Sequence, residues 1–328
     1  MTPLISRRST CVAALLALAG SAFAQANYPN RPITLIVPYA AGGSSDARAR
    51  QVAQKISGYL GQQVIVDNKP GGNGNIGTAA IAKAAPDGYT IGIGNLAPLT
   101  VNRTLMPSAT PFDAATDLVP VVLLERGPLV LVVNEKSPYK SAKQLVDALK
   151  AQPTKFSYAS AGSGGAFHLA GELFKSVTAT TATHIPYKGG GPAMNDMLSG
   201  QVDYMFEMVP SALGYLTAQP PKLRALAVAT EKRLPSLPEV PTFAEQGISN
   251  MVISNWFGIV APKGTPKTVV DKLNEAVNRA LREPDLLKRI TDPGNVVGGG
   301  SPAQFAEFIN GETARWTQLI KEKGIQAE

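Results

Sequence analysis

Apolar and polar positions along the chain follow two alternating patterns. Residues 33–37 form a short apolar, β-branched run, and a segment with helical spacing follows it to about Leu60. Further strands are predicted at residues 63–66, 90–93, 156–159, 184–187, 202–206 and 226–229, and further helices at residues 74–85 and 168–177. Continuous apolar strands that alternate with helices are typical of sheets buried on both faces. The sequence therefore predicts an α/β fold in which mostly parallel sheets are flanked by helices.

Two apolar strands, at residues 128–133 and 256–260, interrupt this alternation. Each of them leads into a loop that contains lysine and proline, and then into a predicted helix. We expect the chain to cross between two lobes at these strands. The first lobe would then comprise residues 25–127 and 256–328, and the second lobe, residues 128–255, would be inserted between them.

The first residues have the three regions of a secretory signal peptide. Residues 7–8 are arginines, residues 11–20 are uncharged and apolar, and residues 22–24 (Ala-Phe-Ala) offer small side chains to a signal peptidase. This order predicts removal of residues 1–24 and a periplasmic location. The arginine pair leaves twin-arginine export open beside the general secretory pathway.

Cysteine content and charge exclude several classes of function. Cys11 is the only cysteine, so a mature chain without residues 1–24 can have neither a disulfide nor a cysteine-ligated metal. The formal net charge is +7, but the basic residues are spread along the chain. Nucleic-acid-binding proteins usually concentrate such residues in a patch, so we expect no nucleic-acid partner. The positive charge is equally consistent with an anionic ligand and with solubility.

Three glycine-rich loops follow predicted strands and precede helices. They span residues 41–46, 160–165 and 188–192. Glycine lets the backbone approach a ligand closely, and the helix behind each loop offers free N–H groups and the positive end of its dipole. One such loop alone would be interpreted as a tight turn. Three loops, divided between both predicted lobes, favour a shared cleft that binds a carboxylate or phosphate group.

Three other patterns suggest different chemistry. Residues 72–77 match the dinucleotide-binding fingerprint, but residues 67–70 separate them from the preceding strand and no acidic residue follows at the ribose distance. A nicotinamide oxidoreductase is therefore a minor alternative. His168 and Glu172 lie one helical turn apart, which leaves an exported hydrolase or metal-dependent enzyme open. Asp203 and Glu207 share one side of a strand and could receive a ligand ammonium or hydroxyl group, or be solvated edge charges.

Taken together, these segments resemble the Bug-type solute receptors of the tripartite tricarboxylate transporter family. The resemblance covers nearly all of the mature chain. The matching blocks occur in order at residues 28–46, 68–77, 86–90, 168–174, 185–193, 200–203, 222–228, 238–242 and 256–258. This number of ordered blocks also accounts for residues 72–77 without a nucleotide.

The resemblance implies a two-lobed, Venus-flytrap periplasmic binding protein, type II-like, whose lobes are joined by two crossing strands. It implies no catalytic activity, no cofactor and no metal. The implied ligand is a small mono- or dicarboxylate, including aromatic ones, and the implied partners are the membrane permease subunits of the transporter. A monomer is expected, and a ligand-sensing receptor for a membrane signalling partner is an open alternative.

The resemblance also implies a set of ligand contacts from both lobes. Main-chain N–H groups and ordered waters carry much of the recognition in this family. The contacts carried over onto this sequence are Tyr39, Gly42, Gly43, Ser44, Asp46 and Asn95 from the first lobe, and Ser160, Gly162, Ser163, His168, Lys188, Gly189, Gly190 and Asp203 from the second. The apolar side chains of Phe167, Met205 and Met208 favour an apolar or aromatic body on the ligand.

Overall fold

The computed structural model describes residues 28–326, so the predicted signal peptide lies outside the described residues. The strands are β1 (Ile33–Val37), β2 (Val64–Asn68), β3 (Thr90–Asn95), β4 (Leu118–Asn134), β5 (Ser157–Ser160), β6 (Thr183–Pro186), β7 (Tyr204–Met208), β8 (Leu223–Val228), β9 (Ser254–Pro262) and β10 (Val296–Gly299). The α-helices are α1 (Ser44–Leu60), α2 (Asn75–Ala82), α3 (Asn102–Leu105), α4 (Ala114–Asp117), α5 (Ala142–Ala151), α6 (Ala166–Thr178), α7 (Gly190–Ser199), α8 (Val209–Leu216), α9 (Lys267–Ala280), α10 (Pro284–Thr291) and α11 (Pro302–Lys323).

The strands form two parallel groups that one long strand joins. β1 pairs in parallel with β2 and β3, and β5 pairs in parallel with β6 and β7. The 17-residue strand β4 pairs antiparallel with β9 and β10 through its first part and with β7 and β8 through its second. The mixed α/β fold and its two-lobed organisation are confirmed. The sheets contain more antiparallel pairs than the sequence predicts, because β9 pairs antiparallel with β3 and β4 pairs antiparallel with β7.

The crossing predicted at residues 128–133 is the second half of β4. The first half of β4 was not predicted because Glu125 and Arg126 interrupt its apolar run. Gly127 pairs with Asn255 and Pro128 with Ser254, where β4 and β9 leave the first group of strands. The exact lobe boundaries, residues 25–127 with 256–328 and residues 128–255, stay a prediction.

Apolar burial stabilises the half of the protein that contains β1, β2 and β3. The faces of α9 and α11 pack against the sheet through buried residues such as Leu273, Val277 and Phe305. Trp256 of β9 meets Phe305 edge-on, with ring centroids 5.9 Å apart, an arrangement that aromatic pairs favour. Among the described residues, no helix combines the length and the apolar character that crossing a membrane would require.

The parallel strands place the glycine-rich loops at one edge. α1 follows β1, whereas α6 follows β5 and α7 follows β6, so each of these helices begins beyond the carboxyl end of a parallel strand. In open α/β sheets, this is where ligands bind.

A candidate ligand-binding cleft

Three helices begin at one central cavity between the halves. The cavity is lined by Ser44 and Ser45 at the start of α1, by Ala166 and Phe167 at the start of α6, and by Gly190 at the start of α7. The residues that precede these helices are all glycine, and none makes a side-chain capping bond. The first N–H groups of a helix have no partner within it, so three positive helix ends meet here.

The central cavity is electrically neutral in its side chains. Among the described residues, none that lines it is charged, and its volume is about 20 Å³. Its polar side chains include Tyr39, Asn95 and Asn255. The Tyr39 hydroxyl donates to Asn95 Oδ1 at 2.7 Å, and Asn95 Nδ2 donates to Asn255 Oδ1 at 2.9 Å. Burial raises the pKa of Tyr39, so its hydroxyl remains protonated. The structure thus brings the predicted residues Tyr39, Ser44, Asn95 and Gly190 together.

Direct backbone contacts join the two sides of the cleft. The Ala40 N–H donates to the Lys188 carbonyl at 2.9 Å. A Cβ atom on Gly191 would lie 2.4 Å from the Ala41 carbonyl oxygen, and one on Gly43 would lie 3.2 Å from Gly190 N. Glycine is therefore required at position 191 for this approach, because real Cβ atoms do not come so close to backbone oxygen.

Two larger cavities flank the central one. One, of about 370 Å³, includes the predicted residues Gly162, Ser163 and Lys188 in its lining. The other, of about 490 Å³, includes Gly42, Gly43 and Glu207. The central cavity has room for little more than one water molecule. A ligand of several heavy atoms must therefore extend into a flanking cavity or hold the lobes further apart.

Gly189, which was also predicted to contact the ligand, is the N-cap residue of α7. A Cβ atom on Gly189 would lie 2.8 Å from Ala40 N, and the residue has a φ of 152°. Gly189 therefore lies at the contact between the two sides of the cleft. The 188–190 loop is thus shared between the lobe-to-lobe contact and the cavity lining.

Asp46 is not brought to the cavity. Its carboxylate accepts hydrogen bonds from Gly42 N at 3.0 Å, from Asn68 Nδ2 at 3.0 Å and from Arg50 Nε at 3.1 Å. Burial alone would raise the pKa of Asp46, but these hydrogen bonds outweigh it and hold the pKa below its usual value. Asp46 therefore shapes the loop at residues 41–43 from behind.

Ser160 and His168 also lie behind a loop instead of facing the cavity. The Ser160 hydroxyl is 2.6 Å from His184 Nε2, and the Gly164 N–H donates to His168 Nδ1 at 2.9 Å. Both residues are fully buried, and the two imidazole rings lie 4.2 Å apart. These contacts hold the loop at residues 160–165 in place, so the residues support the site through its backbone.

The buried histidines predict acid sensitivity of the second lobe. Burial lowers the pKa of His168 to about 4, and burial together with His168 lowers that of His184 to about 3. In the unfolded chain these two histidines bind protons near pH 6.5, whereas in the folded protein they stay neutral at that pH. The free energy of unfolding is therefore highest above pH 6.5 and decreases as the pH falls toward 4. We expect up to about 1.4 kcal/mol of lost stability per histidine and pH unit.

Urea unfolding between pH 7.5 and 4.5 measures this loss. A variant with His168→Asn and His184→Gln should show a flatter decline than the native chain, since carboxylates titrate equally in both. Identical slopes for the two proteins would contradict the prediction.

Asp203 and Glu207 lie at opposite ends of β7, and only Glu207 is part of the strand. Asp203 precedes β7, where its carboxylate accepts from Ser157 N at 2.8 Å, far from the cleft edge. Glu207 lies at the cleft end and is 1% exposed. Burial raises its pKa to about 8, against the opposite effect of hydrogen bonds from Met208 N and Ser44. Asp203, which was predicted to contact the ligand, is thus not brought to the site, whereas Glu207 lies at the cleft end of β7.

Comparison with known proteins identifies the family. The model of the tripartite tricarboxylate transporter family receptor matches residues 48–325. The chain belongs to this family. It is 40% identical to Protein BugT of Bordetella pertussis over 300 residues, which cover 91% of each chain. The receptor is thus one of the Bug-type proteins that its sequence blocks indicate.

Solved structures of similar proteins share the fold of this receptor. The periplasmic binding protein BugD has a TM-score of 0.86 at 34% identity, covering 92% of this chain and 100% of BugD. Rpa4515 of R. palustris with adipate has a TM-score of 0.87 at 35% identity, covering 92% and 100%. MatC from Rhodopseudomonas palustris with bound malate has a TM-score of 0.84 at 32% identity, covering 89% and 100%.

Several residues that line the cavities of the cleft were not predicted from the sequence. Asn73 lies in the segment that mimics a dinucleotide fingerprint, has a φ of 52°, and donates to Asn102 Oδ1 at 2.8 Å. A Cβ on Gly162 would lie 2.8 Å from Asn73 Oδ1, so this segment faces the second lobe across the cleft. The signal available was the density of glycine around Asn73, as in the three predicted loops. Ser45, Asn255 and Phe257 were also missed.

The three apolar residues singled out for ligand contact have different positions. Phe167 lines the central cavity. Met205 packs in the core of the second lobe, and Met208 lies 3.6 Å through its sulfur from Asn255 Nδ2. Only Phe167 of the three therefore faces the cavity.

His168 and Glu172, the residues considered for a hydrolase or metal-dependent enzyme, lie inside the second lobe. His168 Nε2 is 3.9 Å from Glu172 Oε1, which already accepts from the Tyr158 hydroxyl at 2.6 Å and from Lys175 Nζ at 2.7 Å. No group of three potential metal ligands occurs among the described residues. The family whose model matches is one of transporter receptors, and BugD is a periplasmic binding protein.

Proposed function

We propose that this receptor binds a small mono- or dicarboxylate in the cleft and delivers it to the membrane permease subunits of a tripartite tricarboxylate-type transporter. The observation that carries the proposal is the meeting of three uncapped helix starts, α1, α6 and α7, at one cavity without charged side chains. Backbone N–H groups and helix dipoles bind an anion without a cationic side chain. Such a site suits a carboxylate that must later be released.

Related receptors support the choice of a carboxylate. Adipate and malate, the ligands of the two R. palustris proteins, are both dicarboxylates. One flanking cavity of this chain carries the exposed Lys188 at its rim, which suits a second carboxylate outside the central cavity. Phe167 and Phe257 line the central cavity and suit an apolar or aromatic body between the two anionic groups.

The export and delivery steps rest on the sequence and on the family. Residues 1–24 have the pattern of a cleaved signal peptide, and BugD is a periplasmic binding protein. Closure of two lobes around a ligand produces a surface that a membrane partner can distinguish from the open form. A monomeric receptor that shuttles between solution and permease is the simplest form of this function.

Thermal unfolding of residues 25–328 with a panel of carboxylates tests the proposal. The panel contains acetate, benzoate, succinate, malate, adipate and terephthalate. A ligand at 100 times its Kd adds about 2.7 kcal/mol of stability, which corresponds to a rise in Tm of about 4 °C for a chain of this length. Adipamide, which lacks the carboxylates of adipate, should give no shift. A panel without any effect on Tm, beside a clear effect of a sugar or an amine, would contradict the proposal.

A further inference from the structure

Glu207 lies between the central cavity and one flanking cavity. Its Oε1 accepts a hydrogen bond from Met208 N at 2.8 Å. Its Oε2 lies 3.0 Å from the point that a Cβ would occupy on Gly190, which lines both cavities. Ser44, which lines the central cavity from the first lobe, hydrogen-bonds to the same carboxyl group. A ligand held by the starts of α1 and α7 would therefore be a neighbour of this carboxyl group.

The surroundings of Glu207 hold no counter-ion among the described residues of the cavity lining. Val130 of β4 lies opposite it, and α8 contributes Ser211 and Tyr215, the only other titratable side chain of this lining. The charged groups that α1 and α7 carry nearby are already engaged: Asp46 with Arg50, and Asp196 as the acceptor of the Tyr187 hydroxyl at 2.6 Å. A carboxylate at position 207 would thus be buried without a counter-ion and with only the hydrogen bonds from Met208 N and Ser44 to stabilise it, which disfavours its ionised form.

A second carboxylate beside Glu207 would be repelled unless the two share a proton. Two carboxyl groups at one site cannot both ionise easily, whereas a protonated carboxyl group donates a strong hydrogen bond to a carboxylate. Burial already raises the pKa of Glu207 to about 8. The group is therefore protonated at neutral pH and able to act as a donor.

We propose that Glu207 is a specificity-determining residue whose protonated carboxyl group donates a hydrogen bond to the carboxylate of the bound ligand. The inference rests on the proposed function and deepens it, because it selects anionic ligands that accept a hydrogen bond over cationic ones. Below pH 8 the proton is already on Glu207. Above pH 8 the ligand anion must be captured together with one proton from the buffer.

Calorimetric titration with the panel carboxylate that raises Tm most tests this coupling. Native affinity should be constant between pH 6 and 7.5 and should weaken above pH 8, by up to about tenfold per pH unit. At pH 8.5, titrations in Hepes and in Tris should differ in heat, because the two buffers release the captured proton with different enthalpies.

Glu207→Gln separates proton coupling from fold. Glutamine keeps an N–H donor but cannot titrate, so we expect about three- to tenfold weaker binding at pH 7 that no longer depends on pH, and equal heats in both buffers. Glu207→Ala, which lacks a donor, should bind more weakly still. The exposed Glu239→Gln serves as the matched control and should keep the native pH profile. Unfolding midpoints without ligand identify any variant that fails to fold.

Two outcomes would overturn the inference alone. The first is carboxylate binding by the native chain that is constant from pH 6 to 9.5. The second is affinity that rises above pH 8 and disappears in Glu207→Gln, because this would show an ionised Glu207 paired with a cationic ligand group. A native protein that responds to no carboxylate at all would overturn the proposed function and this inference with it.

Discussion

Replacing Gly191 with alanine should weaken ligand binding by about 10- to 100-fold without loss of stability in the free protein. The added Cβ would lie 2.4 Å from the Ala41 carbonyl oxygen on the other side of the cleft. Because that atom belongs to the backbone, it cannot rotate away, and the two loops must separate. Overpacking of this kind costs roughly 1–3 kcal/mol. The free receptor avoids this cost when its lobes open, whereas closure around a ligand brings the two atoms together, so the cost corresponds to the expected change in affinity.

The expected stability of this variant follows from its local conformation. Gly191 is the second residue of α7, its φ lies outside the left-handed region, and alanine is the better helix former. Calorimetry should therefore show weaker carboxylate binding beside an unchanged or slightly higher Tm. Gly58→Ala in α1 is the matched control, since nothing lies within 4 Å of its added Cβ. Native affinity in Gly191→Ala would show that capture does not require this close approach.

The elements around the cleft could be predicted because their signals are local. β1 spans Ile33–Val37, as the apolar run predicts. α1 ends at Leu60 because Gly61 adopts the left-handed conformation with φ of 69° and caps it. The three glycine-rich loops were found for the same reason, since glycine between a strand and a helix is visible in the sequence itself.

The direction of polar side chains could not be predicted from local patterns. Ser160 follows a strand and precedes glycines, as a ligand-binding serine would, yet its hydroxyl meets His184 from 24 positions further along the chain. The apolar and polar pattern predicts Asp203 and Glu207 on one side of a strand, but Asp203 precedes β7, and only the position of β7 in the sheet shows that Glu207 reaches the cleft. Such outcomes depend on tertiary packing, which periodicity and motif spacing do not contain.

Strand β4 shows the same limit for the fold. Its apolar pattern is broken by Glu125, which sequence alone would place in solvent. In the structure Glu125 is 2% exposed and Arg48 of α1 is 4% exposed. The guanidinium donates to both carboxylate oxygens, through Nε at 2.7 Å and Nη2 at 2.8 Å. Glu125 can therefore be buried because Arg48, which is 77 positions away in the sequence, neutralises its charge.

Glu125→Ala should destabilise the protein by about 3–5 kcal/mol, since it leaves the Arg48 charge buried without its partner. Asn295 Nδ2, which donates to the same carboxylate at 2.7 Å, would lose its acceptor as well. Urea unfolding at pH 7 measures the change. Arg48→Met combined with Glu125→Leu should be far less destabilising than either single change, because no charge then remains buried. The exposed pair of Lys267 and Asp271 provides the control, and Lys267→Ala should change little. Single and double variants with additive effects would show that the two charges do not depend on each other.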